Sequence, residues 1–181
     1  MRRSFLAIPF ALALTFGLPG AAQADPSTNI RTSASFSAKC IGLADNGSTA
    51  NGTRLVLWDC HGGIDQYWFG RSDHSIRSLA NSGKCVGLAN NGSTANGTKL
   101  VLWDCHGHND QIWAFTPAGD ARSYQIRNFP SGKCVGLANN GSTANGTSLV
   151  LWDCHGGPDQ GWLLPAPYDN GNAQARYGFT H

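Results

Sequence analysis

The chain has 181 residues, of which 41% are hydrophobic and 13% charged, and carries a formal net charge of +2. Both excess charges are Arg2 and Arg3; beyond them, basic and acidic residues balance at 11 each. So few cations on a neutral chain argue against nucleic acid and against an anionic membrane surface as partners. Residues 1–24 read as a bacterial-type secretory signal peptide, which makes the chain an exported protein. Arg2 and Arg3 supply its charge, Phe5 to Leu18 its apolar run, and Ala22-Gln23-Ala24 a small-x-small cleavage site. Pro9, Gly17, Pro19 and Gly20 interrupt the run, so a membrane anchor is not expected there. The remaining 157 residues suffice for one domain with its own core, placed at 25–164.

That domain consists of one 29-residue stretch written three times, at Cys40–Trp68, Cys85–Trp113 and Cys134–Trp162. In each copy the second Cys follows the first by 20 positions, a Gln by 26 and a Trp by 28. A unit of this length cannot bury its own apolar face, so the copies must pack on one another. Neither end carries a polar capping unit, and closure around a three-fold axis is expected over a linear stack.

All six cysteines lie inside the copies, two in each. In an exported chain this implies a disulfide framework. Six cysteines allow 15 pairings. The repeat favours Cys40–Cys60, Cys85–Cys105 and Cys134–Cys154, since each unit then closes its own loop. Each bridge should contribute roughly 3 kcal/mol by loop entropy. Zinc held by two Cys and His61 is disfavoured, because the cysteines are too far apart for a close ligand pair. No metal and no cofactor is expected.

Helical periodicity is absent, and short apolar segments alternate with Gly, Asn and Ser clusters, as in an all-β domain. Four short strands are predicted per copy. The first surrounds Ile30, Ile76 and Ile126; the second covers 39–43, 84–88 and 133–137. The third covers 54–58, 99–103 and 148–152, and the fourth starts at Gln66, Gln111 and Gln160. The second and third are joined by Asn-Gly-Ser-Thr-Ala-Asn-Gly-Thr, whose Asn-Gly pairs suit turns with positive φ. They also form six N-glycosylation sequons, for which the turn role is reason enough. Alternation along the third strand puts Leu55 and Leu57 on one face, Val56 and Trp58 on the other. With the leucines inward, Trp58, Trp103 and Trp152 lie at a strand end on the outer side; a strand buried on both faces would instead make them core tryptophans, and the pattern alone does not choose.

Three Gln-x-Trp motifs, each preceded by a Cys–Cys loop ending in Trp-Asp-Cys, resemble the ricin-type β-trefoil lectins. Within them, the likeness is to the carbohydrate-binding modules of secreted bacterial glycoside hydrolases. The resemblance covers residues 28–164 and implies an all-β fold, a β-trefoil of three four-stranded repeats with pseudo-three-fold symmetry. It implies one shallow sugar pocket per unit, where an aromatic ring stacks on the apolar face of a pyranose and polar groups fix the hydroxyls. Carried over by position, the platforms are Trp58, Trp103 and Trp152, joined by His61, His106 and His155. The acids before the Gln are Asp65, Asp110 and Asp159, where the family has Asn. A polar position after the first Cys falls on Asp45, Asn90 and Asn139. The motif residues Gln66, Gln111 and Gln160 would bond backbone or sugar. One departure matters: the family's hydroxyl acceptor, an Asp two residues after the first Cys, is Gly42, Gly87 and Gly136 here.

The function expected is a secreted, non-catalytic lectin, a monomer with up to three weak sites acting by avidity on polysaccharide or cell-surface glycans. The competing reading is a trefoil that binds or inhibits another protein, its sugar sites degenerate. Asp59 with His61 could suggest acid–base work, but no nucleophile or second carboxylate accompanies them, so no enzyme is expected. Residues 165–181, with Pro165-Ala166-Pro167 and Asp169-Asn170-Gly171-Asn172, are poor in apolar side chains and read as a loose tail.

Overall fold

In each copy the motif's second and third segments pair as a hairpin with the same register. They are β2 (Lys39–Leu43) with β3 (Leu55–Asp59), β6 (Lys84–Leu88) with β7 (Thr98–Asp104), and β10 (Cys134–Leu137) with β11 (Thr147–Trp152). Cys40 faces Trp58, Cys85 faces Trp103 and Cys134 faces Trp152, and each turn glycine faces a valine, as Gly42 does Val56. These details come from a computed structural model, which describes residues 29–35, 38–119 and 122–164. The predicted signal peptide and tail lie outside the described residues.

The other strands are β1 (Arg31–Thr32), β4 (Trp68–Gly70), β5 (Ile76–Ser78), β8 (Trp113–Pro117), β9 (Tyr124–Asn128) and β12 (Trp162–Leu163). Pairing runs β10-β9-β12-β1-β2-β3-β11, and β11 returns to β10, so these seven strands close a barrel. The first and last strands close it: Arg31 pairs with Leu163 and Thr32 with Trp162. On the axis the three units meet through β11 with β3, β11 with β7, and an isolated bridge from Arg54 to Val101. This is the expected all-β trefoil. Closure pairs both edges of each of these seven strands, while β4 and β8 each pair on one side.

The period-2 pattern puts Leu55, Leu57, Leu100, Leu102, Leu149 and Leu151 fully inside. Trp68, Trp113 and Trp162 fill the centre, and each indole N–H donates to a backbone carbonyl of its own unit, at Ile41, Val86 and Val135 (2.9–3.0 Å). A buried indole keeps its partner because an unpaired donor would cost about 1–3 kcal/mol. The disulfides are Cys40–Cys60, Cys85–Cys105 and Cys134–Cys154, one closed within each unit.

The fourth strand departs from expectation. It begins at the Trp, two residues later than predicted, because the Gln sits in a 3₁₀ turn: Ile64–Gln66, Asn109–Gln111 or Pro158–Gln160. The Gln amide must reach backward to the preceding loop, and an extended residue could not do so.

The units are also latched to one another. The second Asn of each hairpin turn leaves its own unit and binds the next. Asn51 Nδ2 donates to Asp104 Oδ2 (2.6 Å), Asp104 N–H donates to Asn51 Oδ1 (3.0 Å), and Lys84 Nζ donates to both side chains (2.6 Å). Asn96 repeats this with Asp153 and Lys133, and Asn145 with Asp59 and Lys39, closing the circle. Hydrogen bonds from Lys39 and Asn145 hold the Asp59 carboxyl below the usual carboxylate range; Lys84 and Asn51 do so for Asp104, and Asn96 and Lys133 for Asp153.

Candidate functional site

Each site starts from a turn that only certain residues tolerate. After β2 the chain makes a left-handed turn: φ is 54° at Asp45, 56° at Asn46 and 78° at Gly47. L-residues resist this conformation by roughly 1–2 kcal/mol, and Asp and Asn resist it least because their side chains bond locally. The other copies use Asn90-Asn91-Gly92 and Asn139-Asn140-Gly141 at nearly the same angles. Glycine is needed third, since a Cβ on Gly47 would also lie 3.0 Å from the Cβ of Asp65. The turn therefore forms one wall, and the Asp before the Gln packs against it.

The opposite wall comes from β3 and the loop after it. Trp58 is 45% exposed while its neighbours Val56 and Leu57 are buried; Trp103 and Trp152 are alike. Each ring is supported from the preceding unit's turn. A Cβ on Gly146 would sit 3.7 Å from Trp58 Cζ3, one on Gly52 3.7 Å from Trp103, and one on Gly97 3.6 Å from Trp152. The latch that closes the molecule thus also seats the three rings.

The loop from the second Cys to the Gln is held by the Gln. Gln66 is fully buried; His61 N–H donates to its Oε1 (2.9 Å) and its Nε2 donates to Asp59 O (2.9 Å). Gln111 and Gln160 do the same. Both ends of each amide are used by backbone, so Gln66, Gln111 and Gln160 build the frame and do not line the pocket. His61 Nδ1 accepts from Gly63 N–H (3.1 Å), which turns its Nε2 toward Asp65 Oδ2 at 3.7 Å. The corresponding separations are 3.7 Å for His106–Asp110 and 3.5 Å for His155–Asp159. Asp59 is not brought to His61; it is spent on the latch.

Three pockets result. Trp58, His61, Asp65 and Asp45 line one of about 360 Å³; Trp103, His106, Asp110 and Asn90 line one of about 490 Å³; Trp152, His155, Asp159 and Asn139 line one of about 480 Å³. Sequence reasoning thus gathered four of its five residues per site. It missed Asn46, Asn91 and Asn140, which follow in the left-handed turn. It also missed His108 in the second pocket and Lys99 in the third. His108 was findable, as the one residue of the Cys-His-Gly-x-x-Asp loop that is glycine in both other copies. Lys99 belongs to the neighbouring unit and carried no signal.

A carboxylate lies beside each of Gly42, Gly87 and Gly136. A Cβ built on Gly42 would lie 3.5 Å from Asp65 Oδ2; on Gly87 the distance to Asp110 Oδ2 is 3.2 Å, and on Gly136 to Asp159 Oδ2 3.5 Å. The carboxylate reaches, from the 3₁₀ turn, the space into which a side chain at the glycine position would project. A second acid there would crowd a like charge. These carboxyls are only about a fifth exposed.

Residues 26–162 match the family described as the ricin-type beta-trefoil lectin domain. No curated protein matches the chain. Among solved structures, the designed three-fold symmetric protein ThreeFoil is 25% identical, with a TM-score of 0.67 over 76% of this chain and 96% of its own. The ricin B-like lectin of Macrolepiota procera, solved with lactose, is 20% identical, with a TM-score of 0.64 over 81% and 99%. The exo-beta-1,3-galactanase of Clostridium thermocellum is 25% identical, with a TM-score of 0.68 over 78% of this chain but 30% of that one.

Proposed function

From the premise that this chain belongs to the ricin-type β-trefoil lectin family, we propose that it is a non-catalytic, exported lectin whose three pockets each hold one sugar residue of a larger glycan. A carbohydrate-binding role follows from the family; the pocket assignments are the inference. Trp58, Trp103 and Trp152 provide the stacking faces. Asp65, Asp110 and Asp159 accept from a pair of adjacent hydroxyls, a charge-assisted contact that a carboxylate makes well. Asp45, Asn90 and Asn139 on the left-handed turn reach the sugar from the other side. The carrying observation is the carboxylate at the position vacated by the family's acid, in all three copies. Because the acceptor stems from the 3₁₀ turn and not from the strand after the first Cys, the hydroxyls it selects differ from the family's usual set.

Each open pocket binds weakly alone, in the millimolar class or about −4 kcal/mol. Three on one face-bearing polymer gain about 10²–10⁴ by avidity where their spacing fits. The export signal, the disulfides and a monomeric trefoil accord with work outside the cell. Asp59, Asp104 and Asp153 serve the latches, and the Asp45–Asp65 pair of the first pocket is Asn90–Asp110 and Asn139–Asp159 in the others, so the feature common to the three pockets is one acceptor and not a pair of carboxylates. The galactanase comparison does not alter this, as the match covers under a third of that enzyme.

A glycan array followed by depletion onto insoluble polysaccharide tests the proposal. Asp65→Asn, Asp110→Asn and Asp159→Asn combined should abolish retention while the melting temperature stays within a degree or two. Retention that survives, or an affinity for monosaccharide equal to that for polymer, would refute it.

A further inference from the structure

The middle unit differs from its siblings at one position in the pocket loop. Where the first and third copies have Gly63 and Gly157, the second has His108. Gly107, at φ +72°, turns the chain between His106 and His108 and brings their rings to one side, centroids 4.6 Å apart. Asp110 completes the group. One ligand atom from each of His106, His108 and Asp110 lies within 4.8 Å of the others. We propose that these three residues form a binding site for one divalent transition-metal ion, zinc in the first instance, found only in the second pocket.

The donor chemistry fits. Two imidazoles and a carboxylate suit zinc, copper or nickel; calcium and magnesium ask for oxygen cages. Four-coordinate zinc with bonds near 2.0–2.1 Å needs donors roughly 3.3 Å apart, so the three must draw together by little more than an ångström. The imidazoles can move, since both residues are exposed; the carboxylate is only about a fifth exposed. The backbone beneath them cannot. Cys105 is tied to Cys85 at the loop's start, and Gln111, buried at its end, holds His106 N–H. A fixed loop carrying short, mobile donors is a preorganised chelate.

Loading has one cost. His108 N–H donates to His106 Nδ1 at 3.2 Å, which leaves the ring proton on Nε2. Metal at Nε2 needs that proton on Nδ1, so the ion displaces this long hydrogen bond. Micromolar affinity is the consequence, below that of a closed structural site. Three protein donors leave a coordination position open toward the pocket above Trp103. The ion also claims Asp110, so it alters the second pocket and leaves the first and third unchanged.

The test contains no sugar and therefore stands apart from the lectin reading. The exported, disulfide-bonded chain is titrated with zinc by calorimetry, with native mass spectrometry for stoichiometry. One equivalent per chain is expected, and none of calcium. His108→Gly, which rewrites the loop as the first copy has it, should weaken binding at least tenfold with an unchanged melting temperature in metal-free buffer. Asp110→Asn should weaken it similarly. No zinc binding, three equivalents, or one equivalent that persists in both folded variants would overturn the site.

Discussion

Each unit holds two tryptophans ten residues apart, and they meet opposite fates. Trp68, Trp113 and Trp162 are fully buried, their N–H groups paired with backbone. Trp58, Trp103 and Trp152 are nearly half exposed, their rings lying on a neighbour's turn glycine. The residue type does not decide between core and platform. Strand parity decides it: Trp58 shares the outer face with Val56, while Trp68 opens a strand that points into the barrel. Val56 itself is buried although outward, so exposure also requires that nothing cover the strand end.

The sharpest way to test this contrast is to truncate one tryptophan of each kind. Trp113→Ala should lose roughly 3–5 kcal/mol of stability, because the ring is fully buried in the core and Val86 O loses its donor. Chemical denaturation reads this directly. Replacing Cys85 and Cys105 by Ser comes next, at about 2–5 kcal/mol, and should loosen the pocket loop of the second unit first. Limited proteolysis would locate the opening.

Trp58→Ala, Trp103→Ala and Trp152→Ala together invert the pattern. Stability should change by under about 1 kcal/mol per site, as expected for half-exposed residues, while retention on polysaccharide disappears. A large fall in stability would mean that the rings are structural props and would break the comparison.

The smallest effect concerns the latches that seat the platforms. The Asp59, Asp104 and Asp153 carboxyls have folded pKa values below their ordinary value of 3.8. A lowered pKa contributes stability that is present above the unfolded value and lost as pH falls through the folded one. All three acids are exposed, so the contribution is small and screened by salt. Platform order, followed by tryptophan fluorescence, should hold from neutral pH to the upper edge of the carboxylate range and fall only below it. Loss well above that range would break the link between latch and platform.

The repeat, the disulfide pairing and the hairpin spans were legible in the sequence, because each depends on residues close in the chain; the outward tryptophans were one of two readings until their exposure decided it. Strand parity has period two, Asn-Gly permits positive φ, and 20 residues between cysteines close a hairpin loop. The loss of an acid at Gly42 and its gain at Asp65 were also visible, but as two separate facts. Only the folded hairpin put the carboxylate 3.5 Å from the glycine's missing side chain. The Gln amides were ambiguous for the same reason: whether they meet backbone or ligand depends on a 3₁₀ turn that alternation cannot report. The latches were beyond the sequence altogether. Asn51 reads as a turn residue, yet its partners are Asp104 and Lys84, and Asn145 reaches 86 positions back to Asp59. Pattern along a chain fixes which face a residue takes. Which residue it then meets was settled by closure of the three units into one ring.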